Sequence, residues 1–213
     1  MRSLVVLACL ASAAPAFADD DETHTIDVDD PRCAAYVPKE LDESMRAWDQ
    51  VLSFSACIQD STVGRIGDDE DPSVTVAMLA HKLSPAMALY FATIQHGPSW
   101  VQVRAAYEIG LAHVALMTRA RASLVSPDLR AGPEAVQRNR EQHALLEAAI
   151  ARYGETAWMV FAAIDRAARQ DPALAADPVT RYMVWSSRQM LEVLAEHAPT
   201  QVGTRHAPTP DEE

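Results

Sequence analysis

Apolar residues recur with the 3.6-residue period of an α-helix along most of this chain, and no segment alternates apolar and polar residues as a strand does. This periodicity constrains the fold more than any other feature, because it leaves helix-on-helix packing as the way to bury a core. We predict an all-α protein of about six to seven helices, stacked as antiparallel helical hairpins in an α-solenoid or an irregular bundle. The predicted helices span residues 39–60, 72–83, 85–96, 99–125, 133–153, 155–170 and 178–197.

Prolines and glycines set most of the predicted helix boundaries. Asp71-Pro72 and Asp177-Pro178 each place a capping carboxylate before a proline in the first turn, where the missing N–H costs nothing. Ser84-Pro85 repeats this signal inside a helical pattern and predicts a break, because an interior proline removes a backbone hydrogen bond. Gly154 is typical of a helix end and predicts a second break before residue 155.

The predicted helix over 99–125 is apolar on most of its circumference, so it needs cover from at least two directions. Short loops place sequence neighbours side by side, and the helices that begin at Pro72 and Pro133 are expected to cover it. Leu111 is expected among its buried residues.

The other expected core contacts come from the last helix and from the tryptophans, one on each of four predicted helices. The last helix is expected to turn inward Val179, Met183, Met190 and Leu194. The expected aromatic anchors are Trp48, Trp100, Trp158 and Trp185.

The first 18 residues have the features of a secretory signal peptide. Arg2 gives a positive start, an apolar run follows from Leu4, and Ala16-Phe17-Ala18 fits the small-residue cleavage site. We predict cleavage between Ala18 and Asp19, and hence a periplasmic or secreted protein without integral membrane insertion. The predicted organisation is a signal peptide (1–18), a largely disordered acidic arm (19–37), one helical domain (38–197) and a disordered tail (198–213).

Cleavage leaves two cysteines, Cys33 and Cys57, in a compartment that oxidises thiols. A disulfide between them is the favoured interpretation. A helix that starts near Glu40 carries Cys57 about 26 Å along its axis, so residues 34–39 must run back along that helix for the sulfurs to meet. A later helix start, two buried thiols and an intermolecular bridge are the alternatives.

Charge is strongly segregated along the chain. Residues 19–71 carry 16 acidic against 4 basic residues, whereas residues 72–210 carry 11 against 13. The formal net charge of -12 disfavours nucleic-acid binding. Five arginines cluster around the loop after the central helix, where they either form a solvated surface or meet an acidic partner or the chain's own acidic arm; they are Arg119, Arg121, Arg130, Arg138 and Arg140.

No catalytic, cofactor or metal motif is found in the sequence. The seven glycines form neither a dinucleotide-binding fingerprint nor a phosphate-binding loop, and no histidine pair has zinc spacing. Met78 with His81 and His113 with Met117 have the spacing of single-helix copper ligands, but core packing is the better interpretation. We therefore predict no catalytic, cofactor or metal residues and no bound cofactor.

Alanine-rich helical hairpins that end in a proline are typical of tetratricopeptide-type repeats. The stretch from Ala144 to Pro172 resembles one such repeat, with Ala148 and Ala167 at its small positions. This resemblance, which covers under half of the chain, implies an interaction scaffold. We therefore expect an exported, non-enzymatic protein that binds an unknown protein partner or has a structural role in the cell envelope. The alternative is a small-ligand or metal-binding helical bundle of the periplasm; the oligomeric state is left open.

Overall fold

The computed structural model of the chain describes residues 52–53, 55–57, 72–124 and 132–199. These residues are almost entirely helical and include no strand, which confirms the all-α prediction with about six helices. The elements are α1 (Pro72–His96), α2 (Ser99–Ala122), α3 (Pro133–Gln170), α4 (Pro172–Ala176), α5 (Pro178–Val193) and a 3₁₀ turn (Ala195–His197). Of the predicted helix over 39–60, residues 52–53 and 55–57 are described, and Leu52 is buried in the core.

Helix α2 is the centre of the packing, as its apolar circumference predicts. It packs against α1, α3 and α5. Its buried positions are largely small residues, and Ala105, Ala112 and Ala120 are fully buried. Leu111, which we expected to be buried, is only partly buried. The reason is that alanines and Gly110 occupy the closest helix contacts, where a larger side chain would hold the neighbouring helix away.

Pairs of contacts fix the helix directions. Tyr107 meets Phe161 and His113 meets Tyr153, both with ring centroids 6.0 Å apart, so α2 and α3 run antiparallel. Asp165 bonds Arg188 while Gly154 lies against His197, so α3 and the α5 end of the chain are also antiparallel. Together with the short Gly97-Pro98 turn between α1 and α2, these contacts give adjacent antiparallel helices.

The predicted break at Ser84-Pro85 is wrong, because α1 continues through Pro85 from Pro72 to His96. An interior proline costs a helix about 3 kcal/mol. The residues around it supply more than this, since Leu83, Ala86 and Tyr90 are all buried in core clusters and each large apolar side chain contributes about 1.5–3 kcal/mol.

The predicted break at Gly154 is also wrong, because α3 is one helix of 38 residues. Gly154 is buried in mid-helix, and a Cβ built there would lie 2.5 Å from Cγ of His197. This glycine therefore makes room for the imidazole of His197 and does not end a helix. The buried residues of α3 begin at Leu146, so its first three turns extend beyond the core.

Candidate interaction surface

Helix α5 exposes large apolar side chains on the face that points away from the core. Its start is fixed by Asp177, whose carboxylate accepts hydrogen bonds from the backbone N–H groups of Val179 (2.8 Å) and Thr180 (3.1 Å). Its buried positions are Thr180, Val184 and Ser187. On the opposite side, four side chains are at least half exposed; they are Val179 (50%), Tyr182 (62%), Trp185 (56%) and Val193 (71%). We call these four residues the α5 stripe.

The two aromatic members of the α5 stripe lie one helical turn apart and support each other. The ring centroids of Tyr182 and Trp185 are 5.9 Å apart, with an angle of 38° between the ring planes. Each ring is therefore held by its neighbour although solvent reaches more than half of it. Aromatic residues arranged in this way offer a large contact area at a low cost in side-chain entropy.

A buried carboxylate ties α5 to α3. Oδ1 of Asp165 accepts a hydrogen bond from Nε of Arg188 (2.6 Å), and Oδ2 accepts from Nε of Arg169 (2.8 Å). The Asp165 side chain is only 9% exposed. Burial acts to raise its pKa, but the hydrogen bonds and charges of Arg188 and Arg169 outweigh that effect and hold the pKa of Asp165 below its ordinary value. Asp165 is therefore an anion at neutral pH, fully engaged with two guanidinium groups.

The C-terminal end of α5 is held by a second group of side chains. Nη2 of Arg121 donates to Oε1 of Glu196 (2.8 Å) and lies 3.3 Å from Nε2 of His197. The His197 ring fills the space that Gly154 leaves on α3. These contacts join α2, α3 and the 3₁₀ turn directly after α5.

Hydroxyl groups complete the attachment of α5. The hydroxyl groups of Tyr107 on α2 and Ser186 on α5 are hydrogen-bonded at 2.9 Å. Ser187 donates to the carbonyl of Met183 (2.7 Å), and Thr180 donates to the carbonyl of Leu174. Since α5 is fixed at its start, middle and end, the stripe is presented by a rigid helix.

The predicted inward face of α5 is wrong for Val179, which is half exposed. Met183 and Met190 are partly buried and Leu194 is buried. The helix carries two apolar faces, and small hydroxyl residues occupy the inner one because their O–H groups bond to backbone carbonyls. The sequence signal for the outer face is the spacing of Val179, Tyr182, Trp185 and Val193, which the inward pattern of the same helix masks.

The prediction of one tryptophan anchor per helix is wrong for Trp185, which is exposed. Trp100 and Trp158 are partly buried and pack against the main core cluster. In the described part of the chain, the fully buried aromatic residues are Tyr90 and Phe161. Trp48 lies outside the described residues. Exposure of Trp185 turns a predicted core residue into the largest member of the α5 stripe.

The remaining candidates show no ligand site among the described residues. That part of the chain contains no group of three or more histidine, cysteine, aspartate or glutamate side chains able to hold a metal ion. His113 uses its Nδ1–H to bond the carbonyl of Ile109 (2.8 Å), and Met117 is buried. Burial lowers the pKa of His113 from its ordinary value of 6.5. The hydrogen bond to the Ile109 carbonyl acts to raise this pKa, and the positive charge of Arg152 lowers it further.

Several predicted residues lie outside the described part of the chain. They include the cleavage pair Ala18 and Asp19, the acidic arm, and Cys33. Cys57 is partly buried against the main core cluster, and its pairing with Cys33 remains a prediction. Among the described helices, none combines the length and the apolar composition of a membrane span.

The predicted arginine cluster is divided between two helix ends. Arg121 is exposed at the end of α2 and paired with Glu196, while Arg138 and Arg140 are exposed near the start of α3. Arg119 is partly buried, and Arg130 lies outside the described residues.

Comparison with models of protein families, with curated proteins and with solved structures finds no match for this chain.

Proposed function

We propose that this chain is an exported, non-enzymatic protein that acts by binding another protein, and that the α5 stripe is its binding surface. The observation that carries the proposal is the exposure of Tyr182 and Trp185 between two exposed valines on one face of a fixed helix. Single exposed apolar residues are ordinary, whereas the largest group of them on a protein surface is often functional. Tryptophan and tyrosine are also the residues that most often dominate binding energy at interfaces.

The attachment of α5 supports the same proposal. Because Asp165, Tyr107 and Asp177 hold the helix, its exposed face has one geometry before binding. A partner then pays little for ordering this surface, which favours affinity. Periplasmic or secreted localisation remains part of the proposal and rests on the signal-peptide pattern of residues 1–18.

Site-directed photo-crosslinking tests this proposal. A photoreactive phenylalanine analogue is placed at position 185 of the full chain, which is expressed in its native host and irradiated in intact cells. The matched control carries the analogue at Ala144, an exposed position on α3. We expect a defined adduct at position 185 that is missing at position 144. The same adducts at both positions, or none at position 185, would overturn the proposal.

A second measurement separates binding from folding. Trp185→Ala removes a half-exposed side chain, so the free energy of unfolding should change by less than about 0.5 kcal/mol. Loss of the crosslink from a probe at position 182 in this variant, with an unchanged urea unfolding curve, would place Trp185 in the contact itself.

A further inference from the structure

We infer that the partner of the α5 stripe is a second copy of this chain, which packs its own α5 antiparallel across the first. This inference rests on the proposed function and identifies the partner of that surface. Three observations carry it: the spacing of the exposed residues, the placement of charges beside them, and the area that they offer.

The spacing is that of a helix-pairing seam. The exposed residues Tyr182, Trp185, Gln189 and Val193 follow one another at intervals of three and four residues, which keeps them in line along one face. Val179 borders this line, and Ser186 lies beside it, partly buried with its hydroxyl bonded to Tyr107 of α2. Val179 and Val193 lie at equal distances on either side of Ser186. In an antiparallel pair centred there, each valine lies level with the other valine of the second copy.

The charges on α5 repeat this symmetry. Arg181 and Glu192 are both exposed, and both lie on the same flank of the stripe, since they are eleven residues, or about three turns, apart. Neither has an ion-pair partner among the side chains that the structure describes. Their midpoint falls within one residue of Ser186, so the antiparallel pair that aligns the valines also brings each Arg181 level with the Glu192 of the second copy.

This pattern favours a second copy over an acidic partner. An acidic partner would be matched by a flank that carries only positive charges. The flank of α5 instead carries one positive and one negative residue, Arg181 and Glu192, in an order that matches a second copy of itself. The strongly acidic residues 19–71 add repulsion between copies, but helix α5 belongs to the nearly balanced part of the chain. At physiological ionic strength this repulsion is screened beyond about 8 Å.

The apolar area of the α5 stripe sets the affinity that we expect for self-association. An aromatic side chain buries about 150–250 Å², and from the fractional exposures the stripe offers roughly 400–500 Å² per copy. Two copies would bury about 800–1,000 Å², which is below the roughly 1,200 Å² at which stable interfaces begin. We therefore expect a reversible dimer with a dissociation constant on the order of 10 µM.

Sedimentation equilibrium of the full mature chain, from about 1 to 200 µM, tests the inference. The wild-type chain should show a monomer–dimer equilibrium. Trp185→Ala should weaken it by about 30-fold or more, as loss of a central aromatic contact does. Far-UV circular dichroism and urea unfolding of each variant confirm that its fold is unchanged.

Charge reversal tests the antiparallel arrangement itself. Arg181→Glu and Glu192→Arg should each weaken self-association about tenfold, because both symmetric ion pairs become like-charge contacts. An equimolar mixture of the two variants should associate as well as the wild type, because every contact in the mixed dimer again joins opposite charges. Two variants that associate no better together than apart would overturn the antiparallel pairing.

The remaining outcomes separate this inference from the proposed function. A wild-type chain that stays monomeric at 200 µM, yet gives an adduct with a different protein at position 185, overturns the second copy and leaves the proposed function standing. A crosslink from position 185 into residues 19–51 of the same chain overturns both, because the stripe is then an internal contact. A crosslink between two copies supports both.

Discussion

Gly110 offers the most direct test of the packing at the centre of this fold. A Cβ built on Gly110 would lie 2.6 Å from Cζ and 2.7 Å from Cε1 of Phe161. Ordinary carbon–carbon contacts are about 3.5–4.0 Å, so the ring or the helix must move by about 1 Å. Phe161 is completely buried and meets the edge of Tyr107, which leaves the ring no open space to enter.

The expected effect of Gly110→Ala follows from two opposing contributions. Alanine is favoured over glycine in a helix interior by about 1 kcal/mol. Overpacking of a core costs about 1–3 kcal/mol, and two close ring contacts place this site in the upper half of that range. We therefore expect a net loss of about 1–2 kcal/mol, which corresponds to a Tm lower by roughly 2–8 °C for a chain of this size.

Urea unfolding, followed by far-UV circular dichroism, measures this loss, and Phe161→Leu supplies the matched background. With the smaller side chain at position 161, Gly110→Ala should cost at least about 1 kcal/mol less than in the wild type, because neighbouring residues couple by about 0.5–3 kcal/mol. A stabilised Gly110→Ala variant, or an equal cost in both backgrounds, would refute the close approach of α2 and α3.

Three further predictions concern charged and titratable groups. Asp165→Asn should lower the free energy of unfolding by about 1–3 kcal/mol, because two charge-assisted hydrogen bonds are weakened; Arg166→Gln on the same helix is the exposed control and should change it by under about 0.5 kcal/mol. Burial lowers the pKa of His113 in the folded protein, so on acidification the unfolded chain takes up a proton at a higher pH than the folded protein does. The free energy of unfolding should therefore fall as the pH drops below about 6.5, by up to about 1.4 kcal/mol per pH unit. Urea unfolding at pH 7.5 and 5.5 should show a smaller pH dependence for His113→Gln than for the wild type. Asp177→Ala should cost about 1 kcal/mol through loss of the N-terminal cap of α5, whereas an unchanged unfolding midpoint would contradict the cap.

The parts of the fold that the sequence predicted correctly are those encoded locally. The starts of α1, α3 and α5 follow directly from Pro72, Pro133 and Pro178, because a proline in the first turn needs no hydrogen-bond partner. The central position of α2 was predictable because an all-round apolar helix has to be covered on several sides.

The parts that the sequence predicted wrongly depend on distant residues. Gly154 is typical of a helix end, but its role is decided by His197, which is 43 positions further along the chain. Ser84-Pro85 is typical of a break, but the burial of Leu83 and Tyr90 decides that the helix continues. Local propensity is a weak guide when tertiary packing of this size opposes it.

The sequence did not predict the exposed α5 stripe for a related reason. A short helix with two apolar faces gives no periodic signal that separates the inner face from the outer one. Thr180 and Ser187 are polar by type, yet they are buried and bonded to backbone carbonyls, while Trp185 is exposed. Burial on α5 is therefore set by the contacts of Asp165 and Tyr107 with Arg188 and Ser186, which no local pattern reveals.

The extension of α3 beyond the core divides one continuous helix into two parts of unequal local stability. Residues 133–145 include no buried residue, and the side-chain pairs Gln137–Glu141 and His143–Glu147, which lie in this section or at its end, are contacts within the helix itself. Such pairs contribute only about 0.2–0.5 kcal/mol each. The amide protons of this section should therefore exchange with solvent through local fraying, while those from Leu146 onward exchange only when the bundle opens. The longest of the described helices thus behaves as a rigid rod attached to a three-turn segment that opens and closes on its own.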